Sequence, residues 1–418
     1  MINQQNELWQ KILDQPYCDP MKRMDFVLFF DVRDGNPNGD PDAGNLPRMD
    51  PQTRHGIVTD VCIKRKVRDY LSVVLKQPIF IQSQEALNTL IFRSARELSE
   101  RKEIEIMPIE ITVSRDEVQK FLTKNDNKTP SEDDIDKVFT WLNEFNEGEH
   151  EGLEYDSENG KLTYFGEAKK SGDFVKLLIE EDEPTETVIK TIVNKLSQAL
   201  SDAKKNAGGG KLSQKVREKV KDEMCKKYYD IRFFGAVLTA GTNFGQVRGP
   251  MQLTFARSIE PILQMDAAIT RCAITKEADR ARKQTEFGRK SWLNWAVYKQ
   301  HGFFNPLLGQ QTGIKKEDLA RFWEALACMF RNSDAASKGE MTMHDIIVFV
   351  HDHPRGNAPS HLLFDKIKCE TKSIKTIEEK PEVKIIKRDG FDTYYEISTP
   401  GSLNSGVKVF HPLDDIWK

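Results

Sequence analysis

The residues best placed to do chemistry in this chain are basic. Lys64, Arg65 and Arg68 lie close together. On a helix Lys64 and Arg68 are four apart and Arg65 and Arg68 three apart, so like charges become neighbours, which costs stability unless an anion lies across them. A solvated basic face is the plainer alternative. A second candidate is residues 245–257 (GQVRGPMQLTFAR), where Gly and Pro flank Arg248. Such a turn lets backbone approach a ligand while Arg248 supplies a planar donor fork, although an ordinary hairpin explains the glycines equally well. The third is residues 271–290, with Arg271, Arg280, Arg282, Lys283, Arg289 and Lys290, and with Phe287, Trp292 and Trp295 interleaved or just after. Basic residues beside aromatics suit a single nucleic-acid strand, which offers phosphates and base faces together. The two tryptophans read as core.

Two metal readings are weaker. Asp34, Asn36, Asn38 and Gly39 match the first half of a calcium loop, but Pro37 interrupts it and Asn45 stands where a bidentate Glu is needed. His344, His351, His353 and His361 crowd together without a helix-spaced pair or a cysteine to complete a zinc set. No phosphate-binding Walker loop, nucleophile elbow or zinc-protease motif is present, and no cofactor is expected.

These residues need elements to position them. Residues 25–32 (DFVLFFDV) form an apolar run that predicts a buried first strand. The following loop, residues 34–45, is too dense in Gly, Asn, Pro and Asp to be regular. Thr59 caps a helix over 60–75 whose apolar stripe is Ile63, Val67, Tyr70, Leu71 and Val74. Strands are expected at 231–238 and 251–256 around a loop at 241–250, a helix at 317–330 and a strand at 345–350. Strand, helix, paired strands, helix, strand is the order of a split βαβ. Between these parts lies a stretch of different texture. It has capping-box spacing at Ser114–Glu117, a hairpin at 153–165 turning at Asn159 and Gly160, and a helix over 187–205 running into Gly208, Gly209 and Gly210.

Charge separates the same parts. The formal net charge of the 418 residues is −3, yet residues 101–200 hold 13 Lys+Arg against 24 Asp+Glu, net −11. The remainder holds 49 basic against 41 acidic residues, net +8. The basic part is the candidate polyanion binder. Six scattered cysteines without a C-x-x-C pair argue against a zinc knuckle or a disulfide framework and for a reducing cytoplasm. No apolar run approaches a membrane span, and the polar first twenty residues do not read as a signal peptide.

Residues 35–70 (GNPNGDPDAGNLPRMDPQTRHGIVTDVCIKRKVRDY) closely resemble the repeated backbone subunit of type I Cascade, the CRISPR RNA-guided surveillance complex. Residues 230–261, 285–303 and 339–368 resemble its type I-C branch. The resemblance implies an α+β fold: an RRM-like (ferredoxin-like) palm with thumb and finger excursions, stacking head to tail along crRNA. It also implies partners: further copies of the chain, other Cascade subunits, and target DNA paired through the guide. The matching residues of the phosphate-contacting helix are Lys64, Arg65 and Arg68, and the thumb is expected at about 271–290. The domains expected are an N-terminal extension at 1–23, the palm with thumb at 24–96 and 223–418, and an acidic inserted subdomain at 97–222, which departs from the family by its length. The family's type I members do not cut. The rival from another class is a metal-dependent ribonuclease like the type III relatives, for which Asp31, Asp34, Asp40 and Asp42 would be the candidate residues. Asp in a Gly/Pro/Asn loop is, however, usually turn chemistry.

Overall fold

The computed structural model describes residues 9–82, 87–101, 103–104, 109–126, 131–145, 153–157, 159–164, 171–178, 187–206, 214–240, 242–272, 286–371, 391, 395–399, 403 and 406–417. The chain divides into two compact units, one of Met1–Pro78 with Gly249–Lys418, the other of Ile79–Arg248.

The first unit is built on an eight-stranded sheet. Its elements are β1 (Met24–Gly35), β2 (His55–Val58), α1 (Asp60–Val73), β3 (Met251–Leu253), β4 (Ala256–Pro261), β5 (Gln264–Arg271), β6 (Glu286–Phe304), α2 (Lys316–Cys328), β7 (Glu340–His351) and β8 (Val407–Phe410). The path runs β8–β7–β1–β6–β4–β2, with β3 and β5 also on β6. Every neighbouring pair is antiparallel. The apolar run expected at 25–32 is thus part of a central strand, and it is buried on both faces, which is why it needs no polar alternation.

Side chains alternate across β1. Its even residues meet α2 and the turn after it: Phe26 packs edge-on against Trp323 and Phe322 of α2 (5.2 and 6.2 Å), and Phe30 packs at a tilt against Phe330, just past the helix (5.3 Å). Trp323 Nε1 donates to the Tyr17 carbonyl (2.9 Å), so part of the N-terminal segment belongs to this core. Next to α2 lies α1, with the Tyr70 hydroxyl donating to Glu324 (3.1 Å). As expected, Thr59 caps α1, accepting from the Cys62 N–H (3.4 Å). The stripe is buried at Ile63, Val67, Tyr70 and Leu71, but Val74 lies past the helix end and is exposed.

The odd residues of β1 face the C-terminal part of the chain. Val27 and Phe29 pack with Leu363, Phe364 and Ile367. On β6, His301 stacks on Phe364 (4.2 Å, 6° between planes). Burial, with some help from Lys299 and against Asp365, pulls the His301 imidazole down to about 4. The unfolded chain, with a value of about 6.5, therefore takes up this proton first. That share of stability is intact above about pH 6.5 and is lost as pH falls towards 4. His301→Phe keeps a ring on Phe364 and is expected to lower the sensitivity. Chemical denaturation at pH 7 and pH 5 checks it: the wild type should lose more stability between the two than the variant.

The second unit has two cores of its own. One gathers a three-stranded sheet, in the order Ile109–Thr112, Lys161–Tyr164, Leu153–Asp156, under helices that include Thr187–Asn206. The other joins Leu87–Glu100 and Gln214–Lys227 to the hairpin Gly235–Ala240/Thr242–Arg248. The hairpin expected from Asn159 and Gly160 is present, with Gly160 at φ +60°. At Ser114 one half of the capping box forms, the Glu117 N–H donating to the hydroxyl (3.4 Å). The glycines Gly208, Gly209 and Gly210 lie outside the described residues.

Three local expectations are corrected. The strand expected at 231–238 is the helix Tyr229–Phe234 followed by a strand from Gly235. Tertiary contact overrides the β-forming residues there: Asp230 accepts from the backbone N–H groups of Phe80 and Ile81 (2.8 and 3.0 Å), and Tyr229, Ile231 and Phe233 are buried. The loop expected at 241–250 holds the strand Thr242–Arg248, which accommodates Gly245 at φ +100° next to a register shift at Leu238. The supposedly irregular loop after β1 contains a small ladder of Gly39–Asp40 with Leu46–Pro47.

Candidate nucleic-acid interface

The site lies where β1 ends, α1 begins and the α2–β7 loop returns. Asn38 Oδ1 accepts from both the N–H (3.0 Å) and the hydroxyl (2.8 Å) of Thr59, tying the β1 loop to the start of α1. The α2–β7 loop presses against the end of β1: the Asn36 N–H donates to the Ser337 carbonyl (2.8 Å), and a Cβ at Gly35 or Gly339 would collide with the facing backbone. Gly339 also holds φ +65°, a conformation few other residues adopt. This close approach fixes Lys338, whose Nζ donates to the Pro37 carbonyl (3.4 Å).

Opposite Lys338 stands Lys66 of α1. It is 6% exposed, donates to the Ser333 hydroxyl (2.8 Å) and lies over the Phe330 ring (5.8 Å). Burial, with help from Lys338 and against Cys62, Asp69 and Asp334, holds its ammonium below the ordinary lysine value. Neither lysine forms an ion pair among the described residues. Cys62 sits beside both and Arg48, yet burial outweighs the three cations and pushes its thiol up. Arg48 pairs with Asp40 (3.4 Å), but its Nε is buried without a partner, as is Asn36 Oδ1. Lys66 is buried with no ion pair among the described residues, Asp69 and Asp334 acting on it only from beyond contact, which costs stability, and an anion is the group that would offset that cost. A phosphate oxygen, met by ammonium donors, fits.

The candidates named from sequence fare differently. Lys64 pairs with Asp60 (2.9 Å) and Arg65 with Asp69 (2.8 Å), so carboxylates of the helix itself relieve the like-charge contact. Arg68 is only 8% exposed. Arg271, Arg289 and Lys290 come together on the β5–β6 hairpin, facing Glu286, Ala268 and Ala267 across the ladder. Arg289 is exposed and reaches Asp266 (3.4 Å), and Phe287 near the described end of the hairpin is 81% exposed. Residues 273–285, with Arg280, Arg282 and Lys283, lie outside the described residues. Arg248 is exposed and ends a strand of the other compact unit. Sequence reasoning passed over Lys66 and Lys338. The available signal was Lys66 itself, a charge three residues after Ile63 and four before Tyr70 on the apolar stripe.

Two of the acidic candidates, Asp31 and Asp40, have carboxylates engaged in the fold. Asp31 is buried and its carboxylate accepts from Trp295 Nε1 (2.8 Å) and Arg33 Nε (3.2 Å), with His344 Nε2 at 3.1 Å. These hydrogen bonds outweigh desolvation and hold it below the usual carboxylate range. Asp40 accepts from the Asp42 N–H (3.3 Å) in a turn. Of the crowded histidines, His351 bonds Asp25 (3.1 Å), and His344 Nε2 lies 3.1 Å from the Asp31 carboxylate. Among the described residues no group of three or more His, Cys, Asp or Glu is placed to hold a metal ion, and no helix is long and apolar enough to cross a membrane.

Comparison with known proteins adds the family. A CRISPR-associated protein Cas7 from Haloferax volcanii is 47% identical over 51 residues, 12% of this chain and 15% of that protein. The match therefore spans far less than two thirds of the relative's length. Two solved chains from complexes titled "CRISPR RNA-guided surveillance complex, pre-nicking" and "CRISPR RNA-guided surveillance complex" align over 81% of this chain. They cover 79% and 77% of their own lengths, at 15% and 13% identity, with TM-scores of 0.40 and 0.35. The family model for CRISPR-associated protein Cas7 matches residues 22–135 and 164–387, most of the sequence, and the chain belongs to that family.

Proposed function

We propose that this chain is a non-catalytic backbone subunit of a type I-C Cascade, polymerising along crRNA by its phosphates and leaving the bases to pair with target DNA. The observation that carries the reading is the Lys66–Lys338 pair, two cations held near each other with neither in an ion pair among the described residues, a site of the right chemistry for phosphate. Family membership supports it. The strand order supports an RRM-like palm: of the strands that frame α1 and α2, the sequence β7–β1–β6–β4 is that of a ferredoxin-like βαββαβ unit. In this reading Lys64, Arg65 and Arg68 flank the phosphate path along α1, and the β5–β6 hairpin is the thumb, offering Arg271, Arg289, Lys290 and the Phe287 ring to the strand. Arg248 is a further contact. Head-to-tail stacking of copies gives an open filament, with guide length setting its extent. The acidic residues 97–222 would repel RNA and instead attract a basic protein partner.

The test is to purify the chain with its partner subunits and a CRISPR array, then extract nucleic acid. A discrete guide-length RNA is expected, released with a steep dependence on salt. A protein free of RNA, or one carrying a random smear lost equally at all salt concentrations, would overturn the reading. Complementary RNA with divalent metal should remain intact; cleavage would favour the ribonuclease alternative.

A further inference from the structure

The sheet face opposite the helices combines a hydrophobic core, in which Val27, Phe29, Ile347 and Phe349 pack with Leu363, Phe364 and Ile367, with groups that a core rarely holds. Across β1, β6 and β7 it presents Trp295, His301 and His344 rings together with Arg33 and Lys299. Each ring is covered by another from the C-terminal part of the same chain. Tyr395 meets Trp295 edge-on (5.5 Å), Phe364 stacks on His301, and Phe391 stacks on His344 (4.0 Å, 15°). Phe391 and Tyr395 stack on each other (5.5 Å). Among the described residues the Lys299 ammonium donates only to carbonyl oxygens, those of Phe364 (3.3 Å) and Ile367 (3.1 Å). His301 Nε2 is buried with no hydrogen-bond partner.

A face selected for apolar packing has little use for a lysine satisfied by two carbonyls or a histidine with an orphaned nitrogen. Arg33 is engaged by Asp31 (3.2 Å) and lies over the Trp295 ring, but rings that accept stacked rings, beside a Lys299 ammonium that donates to oxygen, are what single-stranded RNA needs from a sheet. The cover joins the main sheet by side-chain packing rather than by strand pairing. Its strand Lys368–Thr371 pairs with Tyr395–Ser398 rather than with the main sheet, and the Tyr395 hydroxyl donates to Glu260 (2.7 Å).

We propose that this sheet face is a second single-stranded RNA site, occupied in cis by the C-terminal hairpin, whose Phe391 and Tyr395 rings stand where nucleobases would stack. The cover keeps the subunit from taking up RNA by base stacking, and so leaves the phosphate path as its way of holding a strand. The proposal rests on the RNA-binding reading above, but it concerns a different face and different residues.

The experiment uses the full chain with Phe391→Ala and Tyr395→Ala, checked for folding by circular dichroism and for opening by hydrogen exchange across 368–371 and 395–398. The probe is a short fluorescent oligouridylate carrying no guide sequence. Faster exchange over the hairpin with roughly tenfold or greater tightening of oligouridylate binding is expected, and the gain should vanish when Trp295→Leu is added. Opening without tighter binding, or a gain that survives Trp295→Leu, would overturn the proposal. If the double variant unfolds, Tyr395→Phe serves instead: it removes only the Glu260 bond, and a folded variant with faster hairpin exchange and unchanged oligouridylate binding counts against it equally. Lys66→Met and Lys338→Met in the same background separate the two sites, because loss of the α1 phosphate site leaves a Trp295-dependent gain in place.

Discussion

Replacing Lys66 and Lys338 together by methionine is expected to weaken guide RNA binding about a hundredfold while leaving the protein as stable as before or more so. The two losses have different physical origins. A charged hydrogen bond is worth about 1.5–3 kcal/mol, so two to phosphate supply a hundredfold or more. The slope of log affinity against log salt should fall by about 1.4, roughly 0.7 for each phosphate no longer neutralised on a single strand. Stability moves the other way because Lys66 is buried beside a second cation and no carboxylate pairs with it among the described residues, and methionine keeps the length of the stem while removing the ammonium. Filter binding over a salt series together with urea denaturation checks both. Unchanged RNA binding with lower stability would make the pair structural. Lys64→Met and Arg65→Met should have a smaller effect, since Asp60 and Asp69 already share those charges.

That comparison shows what the sequence could and could not reveal. The elements framing the site were legible because each carries its own local signal: the unbroken apolar run of β1, the Thr59 cap, and the stripe of Ile63, Val67 and Leu71. The basic surface of α1 was legible as composition, but its charge state was not. Whether Lys64 is neutralised depends on where the Asp60 side chain turns. Lys66 was hidden among three more conspicuous cations, and Lys338 is brought to it only because β7 pairs with β1, a pairing that no spacing announces. The C-terminal cover was invisible for a related reason. Phe364, Phe391 and Tyr395 show no common period, and their role appears only against rings on β1's neighbours. The helix Tyr229–Phe234 failed in the opposite sense: its local signal was clear and pointed to a strand, and burial around Asp230 overrode it.

The largest effect on folding is expected at a residue with no side chain. Gly302 of β6 lies directly opposite Phe26 of β1, with Leu253 of β3 on its other side. A Cβ there would run into the Phe26 ring, which leans over the glycine into the space between the sheet and α2. Phe26 cannot yield easily, because Phe322 and Trp323 hold its edges and all three are fully buried. Gly302→Ala should therefore cost about 3 kcal/mol, at the upper end of what overpacking a core usually costs. The glycine's lower strand propensity would by itself favour the alanine, so a net loss measures the collision. Adding Phe26→Leu should return part of the stability by making room for the methyl group, although alone it leaves a cavity and destabilises. A double-mutant cycle of urea midpoints checks this: the pair should be more stable than the sum of the single losses predicts. The consequence extends to the RNA site. The Phe26 ring helps seat α2, and the loop leaving α2 carries Ser333 and Lys338 to the end of β1. Gly302→Ala should thus weaken RNA binding under conditions where the chain is still folded, with the salt slope unchanged because no phosphate contact has been removed. A normal affinity in the folded variant would show that the α2–β7 loop is held by its own contacts with Gly35 and Gly339 and not by the packing beneath it.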